Sequence, residues 1–389
     1  MSVRNSVSNV FLFPSKYYRN RVSTTLILDN YIDAVLQKSL YPFNLFENIL
    51  FLSKYSIRDN FITSNNRWAK FYSYFSTVLI IFVYILVISL DRGVRNFTPD
   101  FLVVGILHYI LLIIGRILYN CTNNAFSDSH VNLIISIQRL QRSQILSYKS
   151  FNFHNWILFS VTCFYYVILF IIQTYAGRCT ILVFLSYIIL LIEDLNTLYL
   201  IRINKLLLDY VILFQTKLKT VMNFDVSSIN SGRMREESLN ILVKAFLEIS
   251  NALSTYKHLS EIPMFYRTIF MAIYTLTYVE LIILFQNIPD NMFWVLLLCW
   301  LIKSVCQVGM MCYNSESLNL MIKSIQATIL VNITGDNSNA ILEGLLHDCA
   351  VVYEKMTTST ILTVDASLPL TLLSVCATYT VVLLQFAFL

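Results

Sequence analysis

Glycine and proline are scarce in this chain, at 8 and 6 in 389 residues. Transporters built from broken, repeated helices usually want more of both, and no internal repeat is visible. Charge is scarce too: Asp, Glu, Lys and Arg make up 13%, against roughly a quarter of an ordinary soluble domain. Hydrophobic residues reach 57% and the mean hydropathy is +0.63. At this length the combination describes a polytopic membrane protein and not a large soluble core. No apolar h-region follows Arg4, Lys16, Arg19 and Arg21, so no signal peptide is expected.

The chemistry of enzymes is also missing. The histidines, at 108, 130, 154, 258 and 347, are scattered. His347-Asp348-Cys349 is compact, but neighbours in sequence do not share a helix face, so no metal site is expected there. There is no glycine-rich phosphate loop and no C-x-x-C pair among the eight cysteines. Most of these lie in or near apolar helices, where a thiol behaves as a small hydrophobe. Only Cys179 falls near an expected outer loop, which argues against an extracellular disulfide within the chain. No enzyme activity and no cofactor are expected. The net charge of +5 reads as membrane orientation and not as a nucleic-acid surface.

What is present is a series of long apolar runs. Seven spans are expected, near Trp68–Leu90, Phe101–Tyr119, Asn152–Tyr175, Thr180 onward, Ile262–Gln286, Met292–Tyr313 and the C-terminal stretch. The second holds Arg116, placed near its inner end, where it can snorkel. Spans one, three and seven are apolar enough to insert alone. The fourth contains Glu193 and Asp194, the fifth Glu280 and the sixth Lys303, so these three should face protein or a wet cavity. The expected outer loops hold only Arg92, Arg95 and Arg178 of the 28 basic residues. That bias places the N-terminus inside and the C-terminus outside. Of the sequons at Asn96, Asn120 and Asn332, only Asn96 lies outside on this topology.

The fold class is therefore all-α, a seven-helix membrane protein with a cytoplasmic helical anchor. Residues 1–66 form a cytoplasmic segment. Within it Tyr41–Leu52 is apolar but short, interrupted by Glu47 and flanked by Lys38 and Lys54. It reads as a helix at or near the inner surface; if it spans instead, the topology inverts. Residues 67–202 carry spans one to four, and 203–261 are cytoplasmic extensions. Residues 262–315 hold spans five and six, 316–365 a cytoplasmic connection, and 366–389 span seven. Leu239, Leu242, Phe246, Ile249, Leu253 and Tyr256 recur at helical spacing. They form one narrow apolar seam, made to pack on another helix. A break is expected between Asn223 and Arg235, and a polar loop over Asn332–Asn339.

The last stretch organises the rest. No charge follows Asp365, and from Pro369 to Leu389 is about 21 residues, or ~31 Å of helix, enough to span a bilayer core. The run nevertheless contains Thr378, Tyr379 and Gln385. An amide in lipid is costly unless it meets a partner or water. Val382, Val381 and Thr378 share the face of Gln385. Such a helix suits a narrow pore made by several copies of itself.

Thr378-Tyr379, five further positions, then Gln385-Phe386 resembles the C-terminal TYhhhhhQF signature of insect gustatory receptors, and Thr363-Val364-Asp365 is similar to its lead-in. The specific match covers about 30 residues; elsewhere the agreement is in length and helix count. The resemblance implies a tastant-gated nonselective cation channel in the plasma membrane of a taste neuron. It implies a homotetramer held by inner helix extensions, with a co-receptor as a further option. It assigns the gate to Gln385 and Phe386, with Thr378 and Val382 lining the path below, since apolar rings close by dewetting. It also implies a pocket within each subunit, opening outward between spans two to six. Candidates there are His108, Tyr109, Tyr165, Tyr166, Tyr187, Tyr274, Tyr278, Glu280, Trp294 and Trp300. Aromatics with a few polar tips suit a small amphipathic or hydroxylated tastant. Glu193, Asp194, Arg202 and Lys303 read as polar contacts of the helix bundle. A G-protein-coupled receptor is the second reading, opposed by the N-in orientation and by the missing Tyr after Asp91-Arg92. A secondary transporter is the third. Expected partners are the tastant, cations and the lipid bilayer, with no nucleic acid.

Overall fold

The computed structural model describes residues 30–49, 52–90, 99–143, 148–175, 181–223, 229–284, 291–335, 340–357 and 367–388. Ten helices and one small hairpin make up these residues. In chain order they are α1 (Ala34–Ile49), β1 (Ser56–Arg58), β2 (Phe61–Thr63), α2 (Arg67–Leu90), α3 (Pro99–Ala125), α4 (Ser127–Ser143), α5 (Tyr148–Tyr175), α6 (Ile181–Met222), α7 (Ile229–Leu284), α8 (Asn291–Gly335), α9 (Ala340–Thr357) and α10 (Leu368–Phe388). The protein is all-α apart from that hairpin. Among the described residues four helical stretches are long and apolar enough to cross a membrane: Arg67–Leu86, Ile106–Ala125, Phe151–Tyr175 and Phe184–Met222.

Helices α2 and α5 sit at the periphery. Phe71, Phe75, Val78 and Phe82 on α2, and Val161, Phe164, Val167 and Ile171 on α5, are exposed. Apolar surface of that extent has no place against water. Helix α2 is capped by Asn66, whose Oδ1 accepts the Ala69 amide at 2.7 Å. It is pinned to α3 by Asn120, which donates to the Ser73 carbonyl at 2.9 Å and to Thr77 Oγ1 at 2.6 Å. Asn120 is buried in this network; Asn96 lies outside the described residues. Helix α6 is the opposite case. From Ile192 to Ile201 every residue is buried, so it forms the centre around which the others stand.

The helices enclose two main cores. The larger joins α1, the hairpin, α4, the C-terminal halves of α6 and α8, the N-terminal half of α7, and α9. The seam Leu239, Leu242, Phe246, Ile249, Leu253 and Tyr256 is buried in it, as its spacing predicts. Helix α6 ends at Met222, at the start of the expected break, but α7 already runs from Ile229, so residues 229–235 are helical where the break is expected. The polar-loop boundary does not hold: α8 continues through Asn332 to Gly335, and the Asn332 amide donates back to the Thr328 carbonyl, 2.7 Å away. Helices α6, α7 and α8 run without interruption through both cores, so each expected span and its expected extension are one rod.

Residues 41–49 of the Tyr41–Leu52 segment belong to α1, whose Leu36, Leu40 and Phe43 are buried against α5 and α6 while Tyr41 and Ile49 are exposed. At 16 residues α1 spans ~24 Å, and its apolar side is already used within the protein. Arg116 does not snorkel. It is 1% exposed and reaches Ser76 at 3.3 Å, because the apolar girdle leaves it no polar surface while the bundle offers partners.

The hairpin packs Tyr55 and Ile62 into the larger core. Its strands pair antiparallel with Arg58 opposite Phe61, leaving Asp59 and Asn60 as a two-residue turn. Both have positive φ, 50° and 66°, the geometry that Asp and Asn tolerate best after glycine and that matches strand twist. Nearby, Lys54 is 3% exposed and paired with Glu47, also 3% exposed, with its ammonium 4.1 Å from the Tyr199 ring centre. Burial pushes the Glu47 carboxyl up and the Lys54 ammonium down; pairing opposes both shifts. Removing one partner strands the other charge. Lys54→Met is expected to cost about 3–5 kcal/mol and to lower the melting temperature of the detergent-solubilised protein, followed by size-exclusion fluorescence. Adding Glu47→Gln should restore part of the loss. A single variant that melts like the wild type would deny the pair any structural weight.

Candidate functional site

The second core is aromatic. Tyr84, Tyr119, Tyr166, Tyr187, Tyr266, Phe270 and Tyr274 are buried together, with Tyr109, Tyr165, Tyr278 and Trp300 packed around them. The rings come from α2, α3, α5, α6, α7 and α8. Edge and offset contacts predominate. Tyr187 stacks on Trp300 at 6.1 Å, Tyr166 meets Trp300 edge-on at 5.7 Å, and Tyr274 lies 4.2 Å from Phe270. His108 Nδ1 is hydrogen-bonded to the Tyr274 hydroxyl. Eight of the ten ligand candidates named from sequence thus belong to one cluster: His108, Tyr109, Tyr165, Tyr166, Tyr187, Tyr274, Tyr278 and Trp300. The side chains of Glu280 and Trp294 lie outside the described residues.

Beneath the rings lies an ionic cluster. Asp194 on α6 is 0% exposed. Arg267 of α7 donates to its Oδ1. Lys303 of α8 donates to its Oδ2 at 2.7 Å, and the Tyr166 hydroxyl of α5 donates to the same oxygen at 2.5 Å. Arg267 also donates to Gln307 Oε1 and stands 3.9 Å from Glu193. Lys303 holds its ammonium 3.8 Å from the Trp300 ring centre, a cation–π contact that joins the ionic floor to the rings. Gly115 of α3 makes the approach possible. A Cβ there would collide with the Tyr266 hydroxyl and with Glu193. Arg202, read from sequence with this group, is elsewhere: its Nε donates to Asn155 Oδ1 at 2.6 Å and ties α6 to α5.

Sequence reasoning found Glu193, Asp194 and Lys303 as bundle contacts but passed over Arg267 and Gln307. The signal was available. Two adjacent carboxylates in an apolar helix require cations from neighbouring helices, and Arg267 falls inside the expected fifth span.

One turn from the ionic cluster is the seat of α10. Met271, four residues after Arg267, and Val308 and Cys312, one and five after Gln307, form a small apolar patch that takes Leu368 and Leu372. Cys376 is buried on the same side of α10. The other side is exposed. Ser367, Thr371, Ser374, Thr378 and Gln385, spaced 4, 3, 4 and 7, face outward, as do Val381 and Val382 between them. Thr371 and Thr378 satisfy their hydroxyls on the carbonyls four residues back, at 3.0 and 2.9 Å. Such back-bonding lets a hydroxyl sit in apolar surroundings. The Phe386 side chain lies outside the described residues.

Among the described residues no group of three or more His, Cys, Asp and Glu side chains is placed to hold a metal. Neither a protein-family model nor a curated protein matches the chain.

Asp194 and Glu193 are adjacent and equally buried, but they differ in what they hold. Asp194→Asn removes the charge on which Arg267 and Lys303 converge, and is expected to cost about 3–5 kcal/mol. Glu193→Gln removes a more distant interaction and should cost clearly less. Surface expression and melting temperature of the two variants test the ranking; equal losses would reject it.

Proposed function

We propose that the chain is a gustatory receptor, a tastant-gated nonselective cation channel of the plasma membrane, assembled as a homotetramer around α10. On this reading α2, α3 and α5 are the first three spans, and one end each of α6, α7 and α8 supplies the next three. Helix α10 is the seventh, with the N-terminus inside. The larger core is then the cytoplasmic anchor. The chain acts as a channel and not as an enzyme, and cations are its cargo.

The observation that carries the proposal is the two-sidedness of α10. One side, with Leu368, Leu372 and Cys376, is docked on α7 and α8. The other presents a polar line ending at Gln385. An amide on lipid is costly, whereas four such helices facing one another give it water and ions. The TY…QF resemblance points to the same face. Thr378 and Val382 line the conduit, Gln385 offers amide oxygens to cations, and Phe386 closes it as a dry ring.

The aromatic cluster is the ligand site, with Lys303 and Asp194 as its floor. A ligand that changes how the rings pack on α7 and α8 biases the seat of α10, because Arg267 is one turn from Met271 and Gln307 is next to Val308. That differential affinity is what gating requires. Tyrosine and indole tips favour a small hydroxylated or amphipathic tastant.

The experiment is a tastant screen by current recording in a heterologous cell without added G protein. The expected result is a ligand-evoked current that reverses near zero in mixed cation solutions, with a C-terminal tag accessible on intact cells. Gln385→Ala should change basal current or ion preference at normal surface expression. A current unaffected by Gln385→Ala and Phe386→Ala would move the pore elsewhere. Signalling only through G protein, with the tag inaccessible from outside, would replace the channel by a receptor of the other class.

A further inference from the structure

Pro263 sits inside α7, at the junction of the two cores: Met264 belongs to the larger one and Tyr266 to the aromatic one. Proline has no amide hydrogen, so the carbonyl of Leu259, four residues earlier, loses its helical donor. Leu259 and Pro263 both line a cavity of about 10 Å³. Thr122, Asn123, His130 and Asn196 line it as well. Two of these are already engaged, Thr122 with the Leu118 carbonyl and Asn123 with the Leu52 carbonyl. The other two are not. His130 is 3% exposed and Asn196 1%, yet His130 Nδ1 and both amide atoms of Asn196 have no hydrogen-bond partner.

We propose that this cavity is a binding site for one water molecule, held by the Leu259 carbonyl, Asn196 and His130. The size is that of a single water, and a buried water needs two to four polar partners. The chemistry matches on both sides. Water donates to the Leu259 carbonyl and to His130 Nδ1 or Asn196 Oδ1, and it accepts from Asn196 Nδ2. Burial, with Lys54 nearby, holds the His130 imidazole well below its ordinary range, so the ring is neutral and keeps one acceptor nitrogen. A metal cation is disfavoured, because Lys54 also lines the cavity. The bound water links α4 and α6 to the proline turn of α7. There the helix can bend without leaving a carbonyl bare.

The test is a map of the full-length protein in lipid, fine enough to show other buried waters. A peak at hydrogen-bond distance from the Leu259 carbonyl oxygen and from Asn196 or His130 Nδ1 is expected. A bare cavity, or a peak held by Lys54 alone at ion distance, overturns the proposal. Asn196→Leu gives a second readout whose sign decides. If water is bound, the variant breaks its cage, leaves the Leu259 carbonyl and His130 unmet, and lowers the melting temperature. If the cavity is dry, the variant only removes two unmet polar atoms and fills space, and the melting temperature rises. Pro263→Ala returns a donor to Leu259 and should weaken the peak; an unchanged peak would remove that carbonyl from the site.

Discussion

Three donors from three different helices converge on the Asp194 carboxylate, which is itself fully buried. Arg267, Lys303 and Tyr166 bring α7, α8 and α5 to α6 at one level of the bundle. With Arg116 and Glu193 included, the cluster gathers three basic and two acidic side chains. A cluster of this kind gives little stability against an apolar alternative, but it is severe on any arrangement that separates its members. It therefore specifies register. The long rods α6, α7 and α8 could slide along apolar seams by a turn at small cost; the carboxylate fixes where they stop. The positions of the aromatic cluster above and of the α10 seat beside it follow from that one stop.

Placement of the remaining helices follows from their charge content. Among the described residues helices α2 and α5 make no buried ion pair with the centre, and they leave most of their apolar surface exposed. Their attachment rests on hydrogen bonds such as Asn120 to Thr77 and on rings such as Tyr84 and Tyr166. On the proposed reading they insert by hydropathy alone, whereas the ionised helices depend on one another. Gly115 shows how tight the central assembly is, since one methyl on α3 would meet both Tyr266 and Glu193.

Much of this was legible from residue type and spacing. Heptad-like spacing located the seam from Leu239 to Tyr256, and the polar run after Met222 located the end of α6. Carboxylates within apolar runs identified α6 as a protein-facing helix, and aromatic placement found most of the second core. Other features depend on partners distant in sequence. Arg116 was read as snorkelling because a cation near a helix end ordinarily can; only the position of Ser76 and Glu193 turns it inward. The Tyr41–Leu52 segment has the length of a surface helix, and nothing local shows that α5 and α6 leave a groove for Leu40 and Phe43. The hairpin was missed although Asp59-Asn60 between Ile57 and Ile62 is a turn signal of the right length. Three-residue strands fall below the periodicity that pattern reading detects.

The seat of α10 differs in kind from the centre. Leu368, Leu372 and Cys376 rest on Met271, Val308 and Cys312, a surface of methyl, methylene and thiol groups. Such contacts are non-directional and lose little when partners shift by a fraction of a turn. The ionic cluster one turn away is directional and tolerates no such shift. A stiff, charge-fixed centre beside a soft apolar seat concentrates any displacement in α10, the helix whose other side carries Gln385. A gate built on α10 would move without requiring the buried charges to part.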